Sequence, residues 1–309
     1  MIVRVFSFLL LLLIVFASAR AMIRWLPGDP LETLMAESGT TASREVLRSE
    51  LGLNRPYGEA LFQDLKNGFH GDFGHSLFTR QPLAPELAKR FKKTMLLAFT
   101  ALGLGLFFSL GLGLLAARTL YDSTLVTRAA NQICTLHGAL AAAMPTPWLG
   151  PILIDLFAVK IKIFPLGDAL ALPSLTLALG LSGFWSRLIR ERVRESLKFG
   201  SAQGARARGI PEWKVMIKYG LAPVSGSLLA YLGTQIGALL GGAFLVEVIF
   251  DWPGMGSLLV DSVLRRDYPV VEMTVFLGAA VSLAGTALGD WAQTWIESKK
   301  SPYGGGGVL

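Results

Sequence analysis

The stretch MLLAFTALGLGLFFSLGLGLLAA, from Met95 to Ala117, contains no charged residue. A helix needs about 20 apolar residues to cross the hydrocarbon of a bilayer, and this run meets that length without interruption. Further apolar runs extend from Val5 to Ile23, Ala129 to Val159, Ala169 to Ile189, Val224 to Ile249 and Val270 to Ile296. The third is broken by Pro145, Pro147 and Pro151, and the fourth carries Pro173 near its start. Prolines are tolerated in membrane helices where neighbours satisfy the freed backbone groups. The expected fold class is therefore all-α integral membrane, with six transmembrane helices.

Charge supports the same class. Only 17% of the residues are charged against 52% hydrophobic, where soluble domains carry about 25% charged residues. The formal charge of +7 points to basic loops that set orientation at the cytosolic face rather than to nucleic acid. Arg187, Arg190, Arg192, Arg194, Lys198, Arg206, Arg208, Lys214 and Lys218 crowd the connection between the fourth and fifth runs, offset only by Glu191, Glu195 and Glu212. Short basic loops stay inside. With an even number of spans both termini are then cytoplasmic, and the segment 27–93 faces outward. Lys160 and Lys162, on an outer loop, are a mild exception. The first run also has a basic start and small residues at Ala17, Ala19 and Ala21, as a cleavable signal peptide does; cleavage would leave the orientation of the other spans unchanged.

Several chemistries find no support in the residues. One cysteine, Cys134, forms no internal disulfide. His70, His75 and His137 lack metal-ligand spacing, so neither a metal site nor a catalytic site is assigned. No G-x-x-x-x-G-K-S/T loop occurs. Any ATP and magnesium would have to be bound by other subunits. An intramembrane aspartyl enzyme would need a facing pair drawn from Asp155, Asp168 and Asp290, whose contexts match no such motif. A secondary transporter would be expected to show inverted repeats, and none is visible.

The segment SAQGARARGIPEWKVMIKYGLAP, from Ser201 to Pro223, is too charged to enter lipid. Ala202, Ala205 and Ala207 favour helix and allow close approach. Gly209 can adopt positive φ and end that helix. Pro211 suits the first turn of a second. The expectation is a helix-turn-helix elbow on the cytosolic face, with an interfacial lipid-binding segment as the plainer alternative.

Several short stretches resemble the permease subunits of bacterial ABC importers of the dipeptide, oligopeptide and nickel branch, in particular the first of the two permeases such systems use. They are LPGDP (Leu26 to Pro30), LGLNRP (Leu51 to Pro56), GDFGHS (Gly71 to Ser76), SRLIRERVRESL (Ser186 to Leu197), ARARG (Ala205 to Gly209) and LGGAFLVEVIFDWPGMGSLLVDSVLRRDYPVV (Leu240 to Val271). The last is the longest and most specific. Departures are confined mainly to the elbow. GSAQG replaces the family's usual stretch before the Ala-Arg-Ala core, while Tyr219, Pro223 and Ser227 stand where His, Asn and Pro are common. ESK (Glu297 to Lys299) replaces a usual Asp-Pro-Arg.

The resemblance implies the type I ABC importer permease fold with a periplasmic insert after the first helix. It divides the chain into a first transmembrane helix (1–26), a periplasmic insert (27–93), a transmembrane core (94–296) with a coupling loop at 190–222, and a flexible cytosolic tail (297–309). It also implies that the chain is not an enzyme but half of a translocation pathway for peptides or similar small polar solutes, with nickel complexes as the alternative cargo. The implied partners are two ABC ATPase subunits, a second homologous permease, a periplasmic solute-binding protein and the lipid bilayer of the inner membrane. Ala205, Arg206, Ala207, Arg208, Gly209, Ile210, Pro211, Trp213 and Val215 would form the ATPase-coupling loop. Glu247, Asp251, Pro253, Gly254, Gly256, Arg266 and Asp267 would form the outer, receptor-facing segment. His137 and Asp290 are candidates for the pathway or for helix packing.

Overall fold

The computed structural model describes residues 2–25, 56–69, 71–165 and 169–300. Leu26 to Pro30, the first part of the insert, His70, Asp168 and the tail from 301 lie outside the described residues. The described elements are helical: α1 (Ile2–Trp25), α2 (Tyr57–Phe69), α3 (Leu83–Ala117), α4 (Leu125–Ala143), α5 (Thr146–Leu153), α6 (Ala171–Leu197), α7 (Gly200–Ala207), α8 (Glu212–Val215), α9 (Ala222–Ile249), α10 (Met255–Leu264) and α11 (Tyr268–Lys300). π-helical stretches extend α5 over Ile154–Lys160 and join α8 to α9 over Met216–Leu221.

Among the described residues, three helices are long and apolar enough to cross a membrane, Leu83–Leu120, Glu212–Gly233 and Tyr268–Ala292, and the pair Leu125–Ala143 and Pro147–Lys160 makes a fourth if its two parts form one span. That pair is bent by 114°. The proline break expected in the third span is thus a sharp turn: Met144 takes an extended conformation ahead of Pro145, because a proline excludes the preceding residue from helical geometry. Helix α3 begins at Leu83, well before the apolar run starts at Met95, its charged first turns held by an Arg90–Glu86 pair at 2.6 Å. Helix continuation needs backbone bonds and i,i+4 partners rather than apolar side chains alone.

The chain forms two compact units, Met1–Thr94 with Pro253–Val281, and Met95–Trp252 with Ser282–Leu309. In the second, α6 is the central helix. It buries Leu172, Leu177, Trp185, Ile189, Val193 and Leu197. Its buried hydroxyls bond their own helix, as Thr176 does to the Leu172 carbonyl at 2.8 Å and Ser186 to the Gly183 carbonyl at 3.2 Å. A low-dielectric interior demands that satisfaction.

Glycine lets α4 and α6 cross closely. A Cβ on Gly183 would lie 2.3 Å from the Ala141 Cβ and 2.9 Å from the His137 carbonyl oxygen. On α3, Phe99 and Phe107 are 67% and 73% exposed. Exposed aromatic rings on the uncharged part of this helix suit a lipid or protein partner rather than water.

Candidate functional site

Helix α7 ends in the turn that its sequence implies. Gly209 has φ +72°. Its N–H donates to the Arg206 carbonyl at 2.9 Å, and the Ile210 N–H donates to the Ala205 carbonyl at 3.2 Å. These are the paired bonds of a Schellman cap. Pro211 then sits at the cap position of α8, one residue ahead of the first helical turn, with φ −58° and ψ 140°. From Glu212 the helical path runs through the π stretch into α9 and on to Ile249 without a break. The elbow's second arm is therefore the beginning of the fifth apolar helix.

The nine elbow residues divide by direction. Ala205 and Val215 are fully buried, packed with Ala117, Ile189, Val193 and Leu197. Ile210 is half-buried. Ala207, Arg208, Gly209, Pro211 and Trp213 are exposed, and Trp213 is 63% so. Lys214 adds its ammonium 5.3 Å from the Trp213 ring centroid. Arg206 turns back into the chain: its Nε donates to Glu212 Oε2 at 3.0 Å and its Nη2 to Oε1 at 2.7 Å. The same guanidinium stacks 3.6 Å from the Tyr121 ring centroid. Glu212 raises the Arg206 guanidinium above its ordinary value through that hydrogen bond, against the effect of partial burial, so the charge is permanent.

The elbow rests on α6. The Ser196 hydroxyl donates to the Tyr219 carbonyl at 2.7 Å, and the Tyr121 hydroxyl donates to the Leu197 carbonyl at 2.7 Å. A Cβ on Gly220 would lie 3.0 Å from Val193 Cγ1. Above this seat lies a cluster the sequence reading missed. Arg190, only 8% exposed, donates to Asn131 Oδ1 at 3.0 Å and Thr135 Oγ1 at 2.7 Å. Arg194 donates to the same Asn131 oxygen at 2.9 Å, to the Ala116 carbonyl at 3.1 Å and to the Thr119 hydroxyl. The available signal was Asn131 itself, a carboxamide inside an apolar run.

The outer segment also divides. Glu247 is fully buried and its carbonyl accepts from the Trp252 N–H at 2.8 Å; Asp251 is exposed with φ +53°. Pro253 is half-buried. Gly254 is the residue before α10, its N–H bonded to the Ser257 hydroxyl at 3.1 Å, whereas Gly256 is buried inside the helix rather than breaking it. The previous helix ends in the left-handed turn at Asp251, closed by the Trp252 bond to the Glu247 carbonyl, and a glycine within the next helix keeps helical geometry at modest cost. Arg266 is exposed with φ +55°. Asp267 is 5% exposed and accepts from the Ser76 hydroxyl and from the Leu77 N–H at 3.0 Å. Nearby, Phe16, Arg20, His75, Glu272, Met273 and Phe276 line part of a cavity of about 780 Å³, with Arg20 and Glu272 paired at 3.1 Å.

His137 meets Ser182 at 2.9 Å, a contact between α4 and α6. Asp290 is exposed on α11. Asp155 pairs with Lys160 at 2.6 Å in an exposed position.

Residues 109–302 match the family of the binding-protein-dependent transport system inner membrane component. The chain belongs to this family. It is the permease subunit of an ABC importer, a non-catalytic, multi-pass inner-membrane component. Such a permease works with partner ATPases, a binding protein and a second permease. Among its relatives, the glutathione transport system permease protein GsiC of Escherichia coli strain K12 is 33% identical over 260 residues, which cover 82% of this chain and 83% of the relative. The protein of the same name from Shigella dysenteriae serotype 1 matches with the same identity and coverage. A crystal structure of an amino acid ABC transporter with histidines superposes with a TM-score of 0.50 at 16% identity, covering 70% of the permease and 95% of that chain. That likeness establishes the shared fold, as the resemblance in ARARG and in Leu240 to Val271 implied.

Proposed function

We propose that the permease carries short peptides or similarly sized polar solutes into the cytoplasm, driven by two ATPase subunits that grip the elbow on its exposed face. The relatives named for glutathione, a small peptide, support that solute class. One observation carries the coupling role: the elbow's second arm continues from Glu212 to Ile249 as one helical path. A pull on Ala207, Arg208, Pro211 and Trp213 therefore acts directly on a helix that spans the membrane. ATP and magnesium would be bound by the ATPases, and two global states of the paired permeases, biased by nucleotide and by the loaded receptor, would give alternating access. Both termini face the cytoplasm in this reading, and 56–93 of the insert and the α10 segment face the receptor.

The test is direct. Cysteines placed at Arg208 and Trp213 should crosslink to an ATPase subunit in intact cells, and ATP-dependent uptake into vesicles should be competed by glutathione and dipeptides. Crosslinks that never form would overturn the docking assignment. Uptake competed by a nickel chelate and not by peptides would replace the solute.

A further inference from the structure

We propose that Arg206 is a positioning residue that locks the two arms of the elbow into one rigid lever, and that Tyr121 ties this lever to the connection between α3 and α4. The inference rests on the elbow reading above and gives Arg206 a role distinct from docking.

The turn between the arms is soft. Gly209 has a left-handed backbone, and a Cβ added there would meet nothing within 4 Å. Beyond the two backbone bonds of the cap and the packing of the half-buried Ile210, the outer side of the turn is open at Gly209. The Arg206–Glu212 pair spans it, three residues on either side, through two parallel hydrogen bonds of 3.0 and 2.7 Å. Two-pronged guanidinium–carboxylate pairs fix angle as well as distance. The third surface of the clasp is the Tyr121 ring, 3.6 Å from the guanidinium carbon, well inside the range of a cation–π contact. The Tyr121 hydroxyl is itself held by the Leu197 carbonyl at 2.7 Å, so the ring is fixed to the end of α6. Its neighbour Asp122 faces Arg118 at 3.1 Å, and the Asp122 carbonyl accepts from Thr127 at 2.6 Å in the first turn of α4. Arg206 therefore joins α7, α8, the end of α6 and the α3–α4 connection, whereas Arg208 is left to face outward. A pull on the elbow then moves α4 together with α9 instead of unbending the glycine turn.

The experiment uses the full importer assembly in proteoliposomes, with spin labels on Ser201→Cys and Leu125→Cys, both exposed positions at the starts of α7 and α4. The distance distribution between them should be narrow with and without ATP. Arg206→Met and Tyr121→Leu should broaden it, and Tyr121→Phe, which keeps the ring but loses its bond to the Leu197 carbonyl, should broaden it less. In the same assemblies Arg208→Cys should still crosslink to the ATPase in the Arg206→Met background, and uptake per ATP hydrolysed should fall about tenfold, as expected for loss of a charge-assisted pair. The double variant Arg206→Met with Glu212→Met should be no worse than the single one. A distribution as narrow in Arg206→Met as in the wild type would overturn the clasp while leaving the elbow reading intact. Loss of the Arg208 crosslink in the wild type would instead defeat the elbow reading.

Discussion

Ser76 and Asp267, 191 residues apart in the chain, share a buried hydrogen bond, and the Asp267 carboxylate also caps the Leu77 N–H at 3.0 Å. Two motifs that resemble the family, GDFGHS and the Arg-Asp-Tyr-Pro of the long outer match, therefore meet in one folded unit. Asp267→Ala should strip both donors of their acceptor and lower stability by about 1.5–3 kcal/mol, and Ser76→Ala by about 1 kcal/mol. Thermal unfolding of the purified permease in detergent reads this. Equal melting temperatures for Asp267→Ala and wild type would contradict it.

At the elbow, Gly209→Ala places a side chain at φ +72° and should cost about 1–2 kcal/mol. Gly209→Pro should do more damage, because it also fixes φ near −65° and removes the N–H that bonds the Arg206 carbonyl. ATP-dependent uptake should be abolished in the proline variant at normal membrane abundance. Retained uptake would show that the turn does not transmit force.

Trp213 separates docking from folding. It is 63% exposed, so Trp213→Ala should leave stability within about 0.5 kcal/mol while weakening co-purification of the ATPase. Val215, fully buried, should show the reverse: Val215→Ala lowers the melting temperature through a cavity. If both variants lost only stability, the exposed face would have no partner.

The crossing of α4 with α6 predicts an asymmetry between two glycines. A Cβ on each would meet a backbone carbonyl oxygen, at 2.9 Å for Gly183 and 3.0 Å for Gly138, but the nearest atom to a Cβ on Gly183 is the Ala141 Cβ at 2.3 Å, whereas on Gly138 it is the Arg187 Cδ at 2.0 Å. A long arginine side chain can swing away and an alanine Cβ, fixed to its helix, cannot. Gly183→Ala should therefore cost about 1–3 kcal/mol and Gly138→Ala clearly less, as read by detergent melting. Equal losses would mean that the helices separate freely.

Asn131 accepts from both Arg190 and Arg194. Asn131→Leu should destabilise by about 1.5–3 kcal/mol, since two guanidinium groups lose an acceptor together. Arg190→Lys should not substitute for arginine, because an ammonium cannot reach Asn131, Thr135 and Glu191 at once. Wild-type melting in Arg190→Lys would show that the cluster contributes nothing.

Much of the architecture was legible in the chain. The uncharged run at Met95 to Ala117 requires a membrane helix because a bilayer offers backbone groups no water. The basic loop after α6 cannot enter lipid, and Gly209 and Pro211 mark its turn because few other residues adopt the left-handed angles of Gly209 and because proline favours the start of a helix. The family itself was legible in ARARG and the long outer match. What the sequence could not reveal was direction. Arg206 and Arg208 are identical in type and two residues apart, yet one is clamped between Glu212 and Tyr121 while the other faces outward. Glu247 and Asp251 likewise read as equivalent outer carboxylates, and one is fully buried. Helical phase and the packing of distant segments decide these matters. The ladder of backbone bonds and the cost of charge in lipid are local and written into each stretch, whereas the meeting of Ser76 with Asp267, or of Asn131 with two arginines, depends on which surfaces the folded chain brings together.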